Sequence, residues 1–155
     1  CSITKDSLWA IDVLKENGIK YDASVFPVHH TRYGMPNASR FIHKWQKDGM
    51  VEFPFSTIKF FGNNIPVAGG GYFRLYPYLL TKWAISKINK ANSSAMVYIH
   101  PWEIDSAQPR MDIGVMYGFR HYVNLKQNEN KIRKLVRDFK FTTVADILQS
   151  SGLMR

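Results

Sequence analysis

The sequence predicts an α/β domain, because helical and strand-like segments alternate along most of its length. Amphipathic helix patterns occur near both ends and in the middle, and short runs of β-branched and aromatic residues lie between them. Of the 155 residues, 45% are hydrophobic and 21% are charged. This composition is typical of a globular protein and excludes a wholly disordered chain.

The first predicted helix covers 5–17, with Thr4 as its N-cap and Gly18 as the residue that stops it. Its apolar side chains span more than half of the helical wheel. We therefore expect neighbouring elements to cover most of its sides, as in a layered domain.

Two further helices are predicted in the second half of the chain. One covers 77–89, and its core-facing stripe consists of Leu80, Trp83, Ala84 and Ile88. The other begins at a capping pair formed by Asn124 and Gln127, and its amphipathic pattern continues to Phe139.

Short runs rich in β-branched and aromatic residues are predicted to be strands. They cover 19–23, 51–55, 58–61, 95–99 and 141–144. We expect loops over 27–37, 62–74 and 101–124, leave 38–49 unassigned, and expect a terminal helical turn over 145–149.

Charge and cysteine content limit the classes of function. The formal charge of +9 suggests polyanions as a partner class without specifying one. The one cysteine, Cys1, excludes an intrachain disulfide framework and a cysteine-cluster zinc site. No apolar run approaches the roughly 20 residues of a bilayer span, so we expect no membrane span.

The last long helix is rich in lysine and arginine, which we expect to form a solvated face. Nucleic acid is a disfavoured partner, because neither an aromatic platform nor a known nucleic-acid module accompanies these charges.

The chain opens on Cys1-Ser2-Ile3-Thr4, without an initiator methionine, and a helix pattern follows almost at once. We therefore expect a fragment whose function lies partly in an absent N-terminal portion. No secretory signal pattern opens the chain, so we expect a cytoplasmic location.

His100 is the strongest candidate for a functional residue. It follows the predicted buried strand 95–99, at the strand end where α/β sheets and barrels hold their sites. Histidine titrates near neutral pH and can therefore give or accept a proton. The alternative is a structural histidine that caps the strand end.

Asp22 lies near the end of the first predicted strand. Its carboxylate can orient a histidine or a substrate, or it can form a turn with its own backbone. The five histidines show no helical metal-ligand spacing, so no metal site is predicted within the chain.

The run Gly69-Gly70-Gly71 lacks the lysine of a P-loop and the spacing of a dinucleotide fingerprint. We expect a tight turn there, which lets the backbone approach a ligand. Tyr72 and Arg74 follow the run and can meet a sugar or an anion, or can lie in an ordinary surface turn.

Six ordered parts of the chain resemble one known family. They are Ser2-Ile3-Thr4 with Leu8-Trp9-Ala10, Tyr21 to Pro27, His30 to Pro36, Ala68 to Arg74, Tyr98 to Glu103, and Phe119 to Asn124. The chain resembles the NodB-homology polysaccharide deacetylases (carbohydrate esterase family 4), specifically the branch found in exosortase-associated exopolysaccharide loci. The likeness covers nearly the whole chain.

The resemblance implies a distorted (β/α) barrel, with 1–155 as the C-terminal part of a single deacetylase domain. It implies metal-dependent hydrolysis of N-acetyl groups on an amino-sugar polysaccharide. In the family a divalent metal, often zinc, is held by an Asp and two His that precede an Arg-x-Pro motif. That motif is absent here, so the resemblance implies metal ligands upstream of this chain, in the N-terminal half of the same domain.

The resemblance also implies roles for individual residues. His100 matches the late-motif histidine that protonates the leaving amine. Trp102 can stack on a sugar ring or merely pack under its loop, and Arg120 and His121 lie in shared segments without an assigned role. The expected substrate-binding residues are Asp22, His30, Tyr72, Arg74 and Trp102.

A second hypothesis is a non-catalytic basic module that binds an anionic glycan or a nucleic acid. Retention on heparin or DNA that falls steeply with salt favours this hypothesis over an enzyme. The fragment of a deacetylase is the hypothesis that the residues favour.

Overall fold

The computed structural model describes residues 2–30, 33–45 and 49–154, and it shows a mixed α/β architecture. The α/β class predicted by the sequence is thus confirmed. Parts of the predicted loop 27–37 and of the unassigned stretch 38–49 lie outside the described residues. After a 3-10 turn at Lys5–Ser7, the elements are α1 (Trp9–Glu16), β1 (Tyr21–Asp22), β2 (His43–Lys44), β3 (Val51–Glu52), β4 (Thr57–Phe60), β5 (Asn63–Pro66), α2 (Gly70–Leu75), α3 (Tyr78–Lys90), a second 3-10 turn (Pro101–Glu103), α4 (Val115–Tyr122), α5 (Leu125–Asp138) and α6 (Val144–Ser150).

The strands form two small sheets, and within the described ranges they do not close a barrel. In the first sheet, β3 pairs in parallel with β1 and antiparallel with β2. Asp22 of β1 and His43 of β2 therefore both lie opposite Glu52 of β3. In the second sheet, β4 and β5 form an antiparallel hairpin.

The hairpin corrects the prediction of a loop over 62–74. Its turn residues Phe61 and Gly62 have φ angles of 45° and 80°, a conformation that suits a two-residue hairpin. The asparagines Asn63 and Asn64 disfavour strands in isolation, which hid β5 in the sequence. Pairing with β4, which contains the β-branched residues Thr57 and Ile58, overrides that preference.

Two of the predicted strands do not form. The stretch 95–99 contributes one isolated parallel bridge, between Tyr98 and Gly69. The Met96 N–H donates to the Ser56 hydroxyl and not to the carbonyl of a neighbouring strand. The stretch 141–144 leads into α6, because Thr143 caps that helix. The Thr143 hydroxyl accepts from the Asp146 N–H, and the Asp146 carboxylate accepts from the Thr143 N–H.

Helices α1, α3, α5 and α6 lie where the sequence predicts helices, but their covered faces differ from expectation. Trp9 of α1 is 66% exposed, so the described elements do not cover most of that helix. In α3, Ala84 and Ile88 are buried as predicted, but Leu80 and Trp83 are exposed, and Thr81 and Ile85 complete the buried stripe. None of the described helices is both long and apolar enough to cross a bilayer.

Helices α2 and α4 were not predicted, and glycine explains both omissions. Glycine lowers helix propensity, and α2 begins at Gly70-Gly71 while α4 follows Gly114 and contains Gly118. The expected cap at Asn124 is also wrong. Asn124 has a left-handed φ of 54° and its amide donates to the Arg74 carbonyl instead of capping α5.

The main core lies where the β4–β5 hairpin meets α2, α3 and α5. It includes Ile58, Val67, Phe73, Ala84, Ile85 and Leu135. A smaller cluster joins Ile3, Ile11 and Met50 below α1. Both cores consist of side chains distant in sequence, as expected for a folded α/β unit.

The glycine run that precedes α2 fits against an aromatic ring. Gly69 has a φ of 147°, and a Cβ atom there would overlap the ring of Tyr98. A Cβ at Gly70 would lie 2.7 Å from the Tyr98 hydroxyl. The close backbone approach expected for this run is therefore made to Tyr98, and it fixes the position of that ring.

We predict that Gly69→Ala lowers the free energy of unfolding by about 1–3 kcal/mol, because alanine there is strained and overpacked. Gly71→Ala is the matched control, since its Cβ would have only ordinary contact, 3.8 Å from the Arg74 guanidinium. Denaturant unfolding of both variants measures the difference. Equal stability of the two would contradict the close packing against Tyr98.

Candidate functional site

A cleft of about 350 Å³ opens between the loop before β2, helix α2, the stretch around Tyr98 and helix α4. We name it the aromatic cleft. Its lining includes His30, Tyr33, Tyr72, Tyr98, Phe119 and Arg120. These residues come from four separate segments, so only the fold brings them together.

Aromatic rings form one wall of the cleft. The His30 ring stacks on Tyr33 with centroids 3.6 Å apart, and Tyr33 stacks on Phe26 at 5.7 Å. Phe26 in turn meets Tyr72 edge-on at 6.4 Å. Phe26 is buried, so the wall is anchored to the interior of the chain. The structure thus places two expected substrate-binding residues, His30 and Tyr72, at one cavity.

Two phenols of the cleft, Tyr33 and Tyr98, are neutral at physiological pH. Burial, the charge of Tyr72 and a hydrogen bond to Tyr72 raise the pKa of Tyr33 to about 12. Burial and the nearby charge of Glu103 raise the pKa of Tyr98 to about 12. The hydroxyl groups therefore remain available as hydrogen-bond donors and acceptors.

His100 lies beside the cleft, and it is not among the residues that line it. Its side chain is 53% exposed. Its ring stands edge-on to Tyr98, with centroids 5.6 Å apart, and lies 5.8 Å from the ring of Trp102. His100 is thus accessible to a molecule that enters past Tyr98.

Glu103 orients His100 from below. Its Oε1 lies 3.6 Å from His100 Nδ1, and its Oε2 accepts a hydrogen bond from the His100 backbone N–H at 3.3 Å. Glu103 is 1% exposed, and the Asn128 amide holds its carbonyl at 2.9 Å. Glu103 therefore holds the backbone of His100 and places a buried carboxylate beside its ring.

Glu103 was not predicted as a site residue from the sequence. The pattern His100-Pro101-Trp102-Glu103 contains the signal, because a glutamate three residues after a capping position folds back onto it. Tyr33, Tyr98 and Phe119 were also missed as cleft residues. Nothing in their sequence spacing predicts that they meet.

Arg74 is the main correction among the predicted site residues. It is 2% exposed, and it points away from solvent because α2 turns it inward. Its Nη1 donates to the carbonyls of His121 and Val123 at 2.6 and 3.2 Å, and its Nη2 donates to that of Arg120 at 3.2 Å. Arg74 therefore fixes the C-terminal end of α4, where a cation is favourable, rather than contacting substrate directly.

Trp102 packs under its loop. The His121 ring stacks on it with centroids 4.2 Å apart, and the Arg74 guanidinium lies 4.8 Å from the ring centroid. His121 is itself held by Gln108 at 3.2 Å. Of the two alternatives for Trp102, the structure favours packing over stacking on a sugar.

Asp22 lies away from the aromatic cleft, and it forms neither of the expected contacts. Its carboxylate accepts a hydrogen bond from the Ser24 hydroxyl. It also faces Glu52 across the β1–β3 pair. Half-buried Asp22 therefore forms a carboxyl pair with buried Glu52 in the first sheet.

Among the residues that the structure describes, no three His, Cys, Asp or Glu side chains come together as ligands for a metal ion. The donor set of these residues does not fit the metal that the resemblance implies. No chemical step of this chain is therefore derived through a metal.

The basic face expected on the last long helix is only partly solvated. Lys131 is not part of it, because its ammonium group donates to the carbonyls of Phe73, Arg74 and Tyr76 and so holds the end of α2. Arg133 pairs with Glu129 at 2.7 Å. The remaining lysines on the face, Lys126, Lys134 and Lys140, are exposed.

Residues 23–149 match a domain family of unknown function, DUF3473. Because the match spans most of the chain, the chain belongs to this family. No curated protein matches it. No solved structure matches it either.

The Asp22–Glu52 pair generates a prediction about pH. The pKa of Glu52 is raised from its ordinary value of 4.5 to about 8, chiefly because burial penalises the charged form and also because Asp22 lies beside it. A hydrogen bond from the Val25 N–H at 3.0 Å offsets part of this rise. Between these two pH values the folded chain keeps a proton that the unfolded chain has released.

We therefore expect the free energy of unfolding to fall as pH rises from 4.5 to 8, by at most about 1.4 kcal/mol per pH unit. Glu52→Gln removes this fall and is more stable than the parent chain at pH 8. Denaturant unfolding from pH 5 to 9 measures it, with exposed Glu129→Gln as control. An unchanged pH slope in Glu52→Gln would contradict the raised pKa.

Proposed function

We propose that the chain is the C-terminal part of a polysaccharide deacetylase of the NodB-homology type, and that His100 is its general acid. DUF3473 is associated with C-terminal regions of polysaccharide deacetylases, which supports the proposal. The six family-like segments support it as well. The observation that carries it is the geometry of His100, exposed beside the aromatic cleft and held by buried Glu103.

The proposed reaction hydrolyses the amide bond of an N-acetylated sugar. Water adds to the acetyl carbonyl carbon, and its proton goes to a base outside this chain. The C–N bond then breaks, and His100 gives its proton to the departing nitrogen, which leaves as an amine while acetate is released. Glu103 positions His100 for this transfer through the hydrogen bond to its backbone N–H, and its carboxylate lies 3.6 Å from the ring.

The proposal places the divalent metal, expected to be zinc, on residues outside this chain. When bound, such an ion polarises the acetyl carbonyl and activates the water. The contribution of this chain is the proton donor and the surface that holds the sugar. The two small sheets would then be the C-terminal part of the distorted barrel, completed by the N-terminal half of the domain.

In the longer protein that this proposal requires, we predict that His100→Ala lowers kcat by roughly 10²–10⁴-fold and leaves the metal content unchanged. Loss of general acid catalysis has this magnitude. Turnover of an N-acetylglucosamine oligomer and elemental analysis of the same samples measure both quantities. His29→Ala is the matched control, because His29 is exposed and lies outside the aromatic cleft.

Two results would contradict the assignment of His100. Loss of metal in His100→Ala would make it a ligand rather than an acid. Equal loss of turnover in His29→Ala would show a general effect of removing a histidine from this surface.

We further predict that the 155-residue chain alone neither deacetylates N-acetylglucosamine oligomers nor binds zinc stoichiometrically. The reason is that its described residues provide no group of metal ligands. Calorimetric zinc titration and an acetate-release assay measure this, with the longer protein assayed alongside as control. Tight binding of one zinc per chain together with turnover would refute the division of roles.

A further inference from the structure

We propose that the aromatic cleft is a subsite for an acidic sugar, and that Arg120 pairs with the carboxylate of that sugar. The inference deepens the proposed function, on which it rests for the idea that the ligand is a polysaccharide. It names the substrate class as a polymer in which a uronic acid lies next to an N-acetylated amino sugar.

The lining of the cleft carries a positive charge. Among the lining residues that the structure describes, none is acidic and Arg120 is the one with a permanent charge. Glu103 is the nearby carboxylate, but it is buried and pairs with Arg74 Nε at 3.4 Å. The described lining therefore presents a positive charge without a negative one.

The position of Arg120 also favours an anionic ligand. Its charge acts on the hydroxyl of Tyr33, whose pKa it lowers against the larger effect of burial. Arg120 lines the cleft from α4, together with Tyr33 of the aromatic wall. Its backbone is fixed, because its carbonyl accepts a hydrogen bond from buried Arg74. A guanidinium on a fixed backbone can bind a carboxylate with two parallel hydrogen bonds.

The remaining lining suits a sugar ring. The apolar faces of sugars pack on aromatic side chains, and Tyr33, Tyr72 and Tyr98 add hydroxyl groups that can donate and accept hydrogen bonds. The volume of about 350 Å³ is at the lower end of the range for small-molecule sites, roughly 300–1,000 Å³. The cleft therefore suits a short stretch of polymer rather than a long one.

The geometry relates this subsite to the proposed reaction. Tyr98 lines the cleft and also stands 5.6 Å from the ring of His100. A sugar in the cleft therefore places the neighbouring sugar of the chain beside His100. This is why the acidic residue and the acetylated residue are expected to be adjacent in the polymer.

The test is binding of two tetrasaccharides to the 155-residue chain, measured by calorimetry or by NMR. One alternates glucuronic acid with N-acetylglucosamine, and the other contains N-acetylglucosamine alone. We expect the acidic probe to bind more tightly, and Arg120→Gln to weaken it about tenfold while leaving binding of the neutral probe unchanged. The substitution should leave the fold intact, because Arg74 donates to the backbone carbonyl of residue 120 and not to its side chain.

Two control variants separate a specific site from general attraction. Lys134→Gln removes one exposed charge from α5, outside the cleft, and should leave binding of both probes unchanged. Arg120→Lys keeps the charge but loses the planar fork, and should retain only part of the affinity.

Equal affinity for the two probes, or an equal loss in Arg120→Gln and Lys134→Gln, would overturn the inference. The second result would indicate the basic binding module instead. Failure of the proposed function is a separate outcome. If the acidic probe binds through Arg120 but the longer protein does not deacetylate it, the subsite stands and the role of His100 falls.

Discussion

The buried ion pair between Arg74 and Glu103 is the interaction on which the candidate site depends. Both side chains are almost wholly buried, and the charged atoms lie 3.4 Å apart without the alignment of a hydrogen bond. Their attraction therefore acts in a medium of low dielectric constant, where it is strong. Removing one partner of such a pair typically costs about 3–5 kcal/mol, because the other charge is left buried alone.

This pair links three elements that are far apart in sequence. Arg74 lies on α2, Glu103 ends the 3-10 turn after His100, and the remaining guanidinium donors hold the carbonyls at the end of α4. His100 and the cleft are thus supported by the same cation. A substitution of Arg74 should therefore displace both His100 and the cleft. A substitution of His100 should affect only the proposed catalysis, and one of Arg120 only the proposed sugar binding. That difference separates positioning residues from residues that contact a ligand.

The sequence predicted those parts of the structure that depend on local pattern. Helices α3 and α5 have clear apolar periods, so both were found. The aromatic cleft was not found, because Tyr33, Tyr72, Tyr98 and Arg120 are separated by tens of residues and meet only through the fold. Helix α2 was missed since its glycines suggest a turn. Because a loop was expected there, Arg74 was expected to contact substrate, whereas α2 turns its side chain into the interior.

Net charge alone gives little information about the ligand of this chain. The value of +9 arises from lysines and arginines spread over the sequence, and several of them make contacts within the folded chain. Arg74 and Lys131 bind carbonyls, and Arg133 neutralises Glu129. Arg120 differs because it lines a cavity whose described lining contains no carboxylate. The position of one charge relative to a cavity is therefore a better guide to a partner than the total charge, since a total also counts the charges that the fold has already used.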